Sequence, residues 1–253
     1  MNLFYVNKNQ IENDKITILG DDVNHIKNVL RMKQGDVFMV CDCEGMNYTC
    51  EVEEVMAKEV IVGIKEKQPS ETELPTRFYL FQGLPKSDKM ELIIQKAVEL
   101  GVYQIIPVAM KRSIVKIEDK KKEAKKLDRW QAIATSAAKQ SKRGIIPEVH
   151  SVMTYKEALQ YAKELDMNLF PYENAEEINR SRELVKCAAT KKSVGIFVGP
   201  EGGFDDEKIA MVKEIGGEVI TLGKRILRTE TAGFTICRFL CLKLMDAING
   251  IRN

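Results

Sequence analysis

Hydrophobic positions over roughly the first 67 residues come in short alternating runs. FYV, KITIL, DVFMVCD, NYTCEVEEV and EVIVGIKEK are rich in β-branched and aromatic residues and are set apart by Asn, Asp and Gly, the pattern of half-buried strands joined by tight turns. Between Asp22 and Met32 the spacing changes, and Val23, Ile26, Val29 and Leu30 fall on one helical face. Several close-set strands in so short a stretch predict a small barrel. QPSETELP, from Gln68 to Pro75, is polar and proline-bounded. It reads as a linker and divides the chain into residues 1–68 and 76–253.

Beyond Arg77 the apolar runs become continuous. RFYLFQGL, VYQIIPVAM, MNLFPYE, SVGIFVG and EVITLG predict buried strands. Between them lie helical patterns: MELIIQKAVELG with Gly101 at its stop, a long basic helix reaching about Lys142, YKEALQYAKEL, DDEKIAMVKEIGG and a terminal TAGFTICRFLCLKLMDAI. Strand and helix in alternation predict an α/β domain with a mostly parallel sheet covered on both faces. The last helix is apolar around much of its circumference, which predicts burial in the core or in a subunit interface.

The chain has 253 residues, 44% hydrophobic and 30% charged, which excludes disordered, collagen-like and low-complexity classes. It contains no apolar stretch of ~18 residues, and MNLFYVNKNQIENDK has acids and amides where a secretory signal needs an apolar core. A soluble cytoplasmic protein is the expectation. Of six cysteines none forms a CxxC pair, and His25 and His150 are far apart. Neither a disulfide nor a metal site is expected, and Cys41-x-Cys43 reads as strand thiols rather than a metal clip. Charge changes the picture locally. The net charge is only +2, yet Lys111 to Gly144 holds twelve basic and four acidic residues. That excess suits a polyanion, or a solvated helix face.

Candidate chemistry gathers in two segments. In IFVGPEGGFDD, Ile196 to Asp206, a buried strand ends in Gly-Pro-Glu-Gly-Gly immediately before a helix. Open parallel sheets bind ligands beyond such strand ends, and glycines let a backbone approach a ligand closely. On these residues alone, a tight strand-to-helix turn without a ligand stays open. No GxxxxGK[ST] or Gly-x-Gly-x-x-Gly phosphate loop is present. The second segment, LGKRILRTETA from Leu222 to Ala232, places Arg225 and Arg228 just before the last helix, with Thr229 and Thr231 as candidate caps. A cation at a helix N-terminus is disfavoured by roughly 0.3–1 kcal/mol. Arg228 therefore suggests a nearby anion or developing negative charge.

These residues resemble a known family. Gly199-Pro-Glu-Gly-Gly-Phe followed by Leu222-Gly-x-Arg-Ile-Leu-Arg-x-Glu-Thr-Ala is similar to the small-subunit ribosomal RNA uracil-N3 methyltransferases (RsmE-type) of the SPOUT superfamily. Arg31-Met-x-x-Gly-Asp, Gln95-Lys-Ala-Val-Glu-Leu-Gly-Val, Ile106-Pro, Arg112-Ser and Lys139-Gln-Ser-Lys-Arg extend the likeness along the whole chain. One departure is Lys142, which stands where relatives often carry Gly.

The resemblance implies an N-terminal PUA-like β-barrel and a C-terminal SPOUT α/β domain with a parallel sheet and a deep C-terminal trefoil knot. It implies S-adenosylmethionine as cofactor, a homodimer, and methylation of N3 of one uridine in 16S ribosomal RNA of the 30S subunit. The cofactor would lie among three loops, one of them following the strand Met167 to Glu173. Its contacts would be Gly199, Pro200, Glu201, Gly202, Gly203, Leu222, Gly223, Ile226, Leu227 and Thr231. Arg228 would meet charge on the uracil. Glu201 would either take its proton or shape the loop. RNA contacts would be His25, Arg31, Lys33, Lys86, Lys139, Gln140, Lys142 and Arg143. Two other readings remain: a knotted transfer-RNA methyltransferase acting on base or ribose 2′-hydroxyl, and a non-catalytic ribosome assembly factor.

Overall fold

The computed structural model describes residues 2–86, 88–110, 120–175 and 177–250. The start of the basic run, residues 111–119 with Arg112-Ser, lies outside the described residues. The chain forms two compact units: one runs up to Glu73 and includes Ala138–Ile146, the other holds Leu74–Ala137 and the chain from Pro147 onward.

The N-terminal unit is one six-stranded sheet. Its strands are β1 (Leu3–Tyr5), β2 (Ile11–Glu12), β3 (Lys15–Leu19), β4 (Val37–Cys41), β5 (Met46–Val55) and β6 (Glu59–Pro69), in the order β1-β4-β5-β6-β3-β2. All ladders are antiparallel except β1 with β4. The outer strands β1 and β2 are not paired with each other, so the barrel expected from the sequence is a curled half-barrel with an open seam. Alternation sets the register. Ile16 and Ile18 face Val62 and Val60, and Phe38 and Val40 face Cys50 and Tyr48. All of these are buried with Phe4, Val6, Val23, Ile26 and Val52 in one core.

The helical piece between these strands differs from its sequence pattern. A short helix α1 (Asp21–Asn24) runs into a π turn over His25–Val29, where the Leu30 N–H donates to the His25 carbonyl at 2.9 Å. The wider turn rotates the face that a 3.6-residue period would bury. Val23 and Ile26 stay inside, but Val29 is 65% exposed.

The expected linker is also shorter than its composition suggests. β6 continues through Pro69, paired with Met46, and Glu73 folds back on the segment that returns to this unit. Its carboxylate accepts from the Gly144 N–H at 2.8 Å and receives the Arg143 guanidinium twice, at Nε (2.9 Å) and Nη2 (2.7 Å). Tyr5 adds a third tie by donating to the Arg143 carbonyl at 3.1 Å. Burial raises the Tyr5 hydroxyl well above its ordinary value, which keeps it protonated as a donor.

The C-terminal unit is a parallel α/β layer structure. Its strands are β7 (Arg77–Gly83), β8 (Gln104–Ala109), β9 (Glu148–Val149), β10 (Met153–Thr154), β11 (Met167–Pro171), β12 (Ser193–Val198) and β13 (Glu218–Ile220). They stand in the order β10-β8-β7-β12-β11-β13, with β9 beside β8, and every pairing is parallel. The central strands are buried on both faces, which is why they read as unbroken apolar runs. Phe81, Phe197 and Phe170 stack across β7, β12 and β11 with ring centroids 4.1 and 4.3 Å apart.

Among the described residues six further helices follow: α2 (Lys89–Glu99), α3 (Lys120–Gln140), α4 (Tyr155–Ala162), α5 (Ile178–Ala188), α6 (Asp206–Glu214) and α7 (Thr229–Gly250). A Thr154–Glu157 capping box starts α4, and the Asp205 carboxylate accepts from the Lys208 N–H to start α6. α7 packs on α2, α5, β12 and β7. It buries Ile236, Cys237, Leu240, Cys241 and Leu244 while leaving Phe239 and Leu242 exposed.

Candidate functional site

Parallel strands release their chain on one side of the sheet, and three neighbours, β12, β11 and β13, do so next to one another. The residues that follow them wall a cavity of about 350 Å³: Pro171–Glu173 after β11, Gly199–Glu201 with Gly203 and Phe204 after β12, and Thr221–Thr229 after β13. This is where an open α/β sheet binds ligands.

Local sequence explains how the loop after β12 folds. The Gly203 N–H donates to the Pro200 carbonyl at 2.8 Å, and Gly203 holds φ +63°, a conformation open to glycine. At the end of β7 a side chain on Gly83 would lie 2.6 Å from the Pro200 nitrogen, so only glycine lets this loop dock on the strand. The Thr229 hydroxyl donates to the Gly199 carbonyl at 2.5 Å and ties the loop to the start of α7.

The electrostatics divide the charged residues into engaged and free. Glu201 accepts from the Lys86 N–H at 3.0 Å and pairs with Lys89 Nζ at 3.3 Å, and Lys89 also reaches Glu230 at 3.4 Å. Burial raises the Glu201 carboxyl, but hydrogen bonds from its own N–H, from Lys86 and from Lys89 outweigh it and hold the group below its ordinary value. Of the two roles expected for Glu201, this geometry favours shaping the loop. Arg228 is exposed on the cavity wall and forms no ion pair among the described residues. Ile226, also on the wall, is an apolar side chain that is 82% exposed.

Most of the residues expected at the cofactor meet here: Gly199, Pro200, Glu201, Gly203, Leu222, Gly223, Ile226 and Leu227 all line the cavity, as does Arg228. Gly202 and Thr231 are not on its wall, and Thr229 rather than Thr231 faces it. Sequence reasoning missed Lys89, Thr221 and Phe204, and it placed the third loop without naming Tyr172 or Glu173. Lys89 lies over a hundred residues before its partners, and no spacing along the chain announces such a pairing.

The expected RNA contacts are scattered. His25, Arg31 and Lys33 are exposed on the N-terminal unit, with His25 edge-on to Phe4 at 5.8 Å. Lys139, Gln140 and Lys142 are exposed on the returning segment. Arg143 is a correction: it is 3% exposed and its guanidinium is held by Glu73, so it is an internal clasp and not a phosphate contact. Lys142, at the position where the resemblance implies a glycine, takes a left-handed backbone. It holds φ +57°, and the bonds Arg143 N–H to Ala138 O and Lys142 N–H to Lys139 O close α3 in the manner that glycine ordinarily provides. Lys86 is exposed, and its backbone grips Glu201.

The chain combines a parallel α/β unit that carries a three-loop cavity at its strand ends with a small β unit, and both match parts of RNA methyltransferases. A family model described as an RNA methyltransferase domain matches residues 72–240, and one described as an RNA methyltransferase PUA domain matches 18–65. Ribosomal RNA small subunit methyltransferase E of Bacillus subtilis is 39% identical over 229 residues, 89% of each chain. Among solved structures, ribosomal RNA small subunit methyltransferase E of Neisseria gonorrhoeae, bound to S-adenosylmethionine, is 31% identical with a TM-score of 0.74, covering 94% of this chain and 95% of its own. A methyltransferase of Legionella pneumophila, solved with S-adenosylmethionine bound, is 32% identical with a TM-score of 0.73, covering 94% and 96%. The chain belongs to the ribosomal RNA small subunit methyltransferase E family.

Proposed function

We propose that this protein transfers a methyl group from S-adenosylmethionine to N3 of one uridine in 16S ribosomal RNA. The carrying observation is the cavity itself: three loops from adjacent strand ends converge, with an exposed arginine on the wall that forms no ion pair among the described residues. Its walls suit the donor. Leu222, Ile226 and Leu227 offer apolar surface for an adenine, and the exposure of Ile226 fits a face that a ligand covers. The backbone of Gly199 and Gly203 offers polar groups at close approach.

When bound, the donor supplies an electrophilic methyl on its sulfonium. The residues of the chain have the other tasks. The loops hold the donor and exclude water, and the site must align the attacking nitrogen with the methyl. A uracil presents N3 only when unpaired. The Arg228 guanidinium meets the charge that develops on N3 and the flanking carbonyl oxygens. Glu201, clasped by Lys86 and Lys89, fixes the loop shape.

The deep knot belongs to the same reading, supported by α7 leaving the third loop and packing back on α2, β12 and β7. So does a cytoplasmic homodimer. Among the described residues no helix is long and apolar enough to cross a membrane. A groove lined by Ile178, Val185, Phe239 and Leu242 adjoins Leu222 of the cavity, and it offers apolar surface to a second copy. Basic side chains at Arg31, Lys33, Lys86, Lys139 and Lys142 suit RNA phosphates.

The test is mass mapping of ribosomal RNA from a deletion strain, with the purified protein added back to its 30S particles. The reading expects one uridine to lose a base methyl at N3 and to regain it with donor present. A missing mark on transfer RNA or on a ribose, or no missing mark, would contradict it.

A further inference from the structure

Gln82 lies at the end of β7, fully buried, and it touches none of the cavity. Both of its N–H donors are engaged: Nε2 donates to Thr229 Oγ1 at 2.8 Å and to the Gly83 carbonyl at 2.9 Å. Its Oε1 is buried with no hydrogen-bond partner among the described residues. The reversed amide would set that oxygen against the Gly83 carbonyl, so the observed orientation is forced. A buried acceptor left unpaired is destabilising, and an apolar side chain of the same size would avoid that cost. What the glutamine gains is at its other end.

A threonine hydroxyl has a single proton. Because Gln82 donates into the Thr229 oxygen, the proton of that hydroxyl is directed to its other neighbour, the Gly199 carbonyl. The next residue is Pro200, which has no N–H, so the Gly199–Pro200 peptide can be held by hydrogen bonding only through this carbonyl. The bond therefore sets the plane of the first peptide in the loop after β12, and Gly199 and Pro200 both wall the cavity.

We infer that Gln82 is a positioning residue for methyl-donor binding. It polarises the Thr229 hydroxyl in one direction and thereby fixes the Gly199–Pro200 peptide. This rests on the cavity being the donor site.

The test is calorimetric titration of the full-length protein with S-adenosylmethionine, paired with thermal melts. Gln82→Leu removes the donor and the unpaired acceptor together. We expect affinity to weaken about tenfold with a melting temperature unchanged or higher. Thr229→Val should weaken binding as much, Thr229→Ser should bind normally, and Gln82→Leu with Thr229→Val should lose no more than either alone. Gln82→Glu gives an independent readout. Ionised, it can only accept the Thr229 proton; protonated, it can donate again. Its affinity should fall as pH rises through roughly 6 to 9, the range of a buried carboxyl, while the unaltered protein stays flat. Normal binding by Gln82→Leu, losses that multiply in the double variant, or a Gln82→Glu profile parallel to the unaltered protein would overturn the role of Gln82 alone. No binding of the donor by the unaltered protein would overturn the donor-site reading as well.

Discussion

Two basic segments, Lys139 to Arg143 and Lys224 to Arg228, look alike in sequence, yet the arginines that end them meet opposite surroundings. In the first, Arg143 is buried and doubly bonded to Glu73, a carboxylate seventy residues earlier. In the second, Arg228 stands exposed on the cavity wall and pairs with no carboxylate among the described residues. A positive residue becomes structural or functional according to whether the fold delivers a counter-charge. That delivery comes from a distant part of the chain. Charge counted along the sequence is a supply of cations, and only the tertiary structure says which remain available for an anion.

The comparison can be broken at either end. Arg143→Ala leaves Glu73 without its buried partner, and the account expects a loss of about 3 kcal/mol of folding stability, read by urea denaturation. If stability is unchanged, the clasp has no structural weight. Arg228→Ala should leave the melting temperature alone and lower kcat about 100-fold, measured by labelled methyl transfer onto 30S particles. A fall in stability with kcat preserved would reverse the two roles.

Glu201 sharpens the contrast, as an anion that the fold does engage. Its carboxyl is held below the ordinary 4.5, so its contribution is fully present at neutral pH. It is lost only as pH falls through the depressed folded value. Donor affinity of the unaltered protein should therefore hold at neutral pH and drop in that acid range. Glu201→Gln should bind about fivefold more weakly at pH 7 and show no such drop. The smallest effect is at Lys142. Glycine suits φ +57° better than lysine, so Lys142→Gly should stabilise by about 0.5 kcal/mol in the same urea titrations.

Much of the architecture was legible because burial imposes a period. The alternation in KITIL and DVFMVCD gave β3 and β4, and the unbroken runs RFYLFQGL and SVGIFVG gave β7 and β12. What escaped has physical causes. α5, INRSRELVKCA, buries only Ser181 and Ala188 among its described side chains, so it carries little hydrophobic signal. The π turn at His25–Val29 obeys no 3.6-residue period. The cavity loops after β12 and β13 were marked by their glycines and arginines. Lys89, Thr229 as a wall residue and Gln82 were not, because their partners meet only when parallel strands are laid side by side.

The central claim is that the loops after β11, β12 and β13 jointly hold the methyl donor with Arg228 facing the acceptor. A crystal structure of this protein grown with S-adenosylmethionine tests it most directly. The account predicts the donor between Leu222–Leu227 and Gly199–Gly203, with its methyl open toward the Arg228 guanidinium. Density for the donor elsewhere, or a methyl turned away from Arg228, would contradict it.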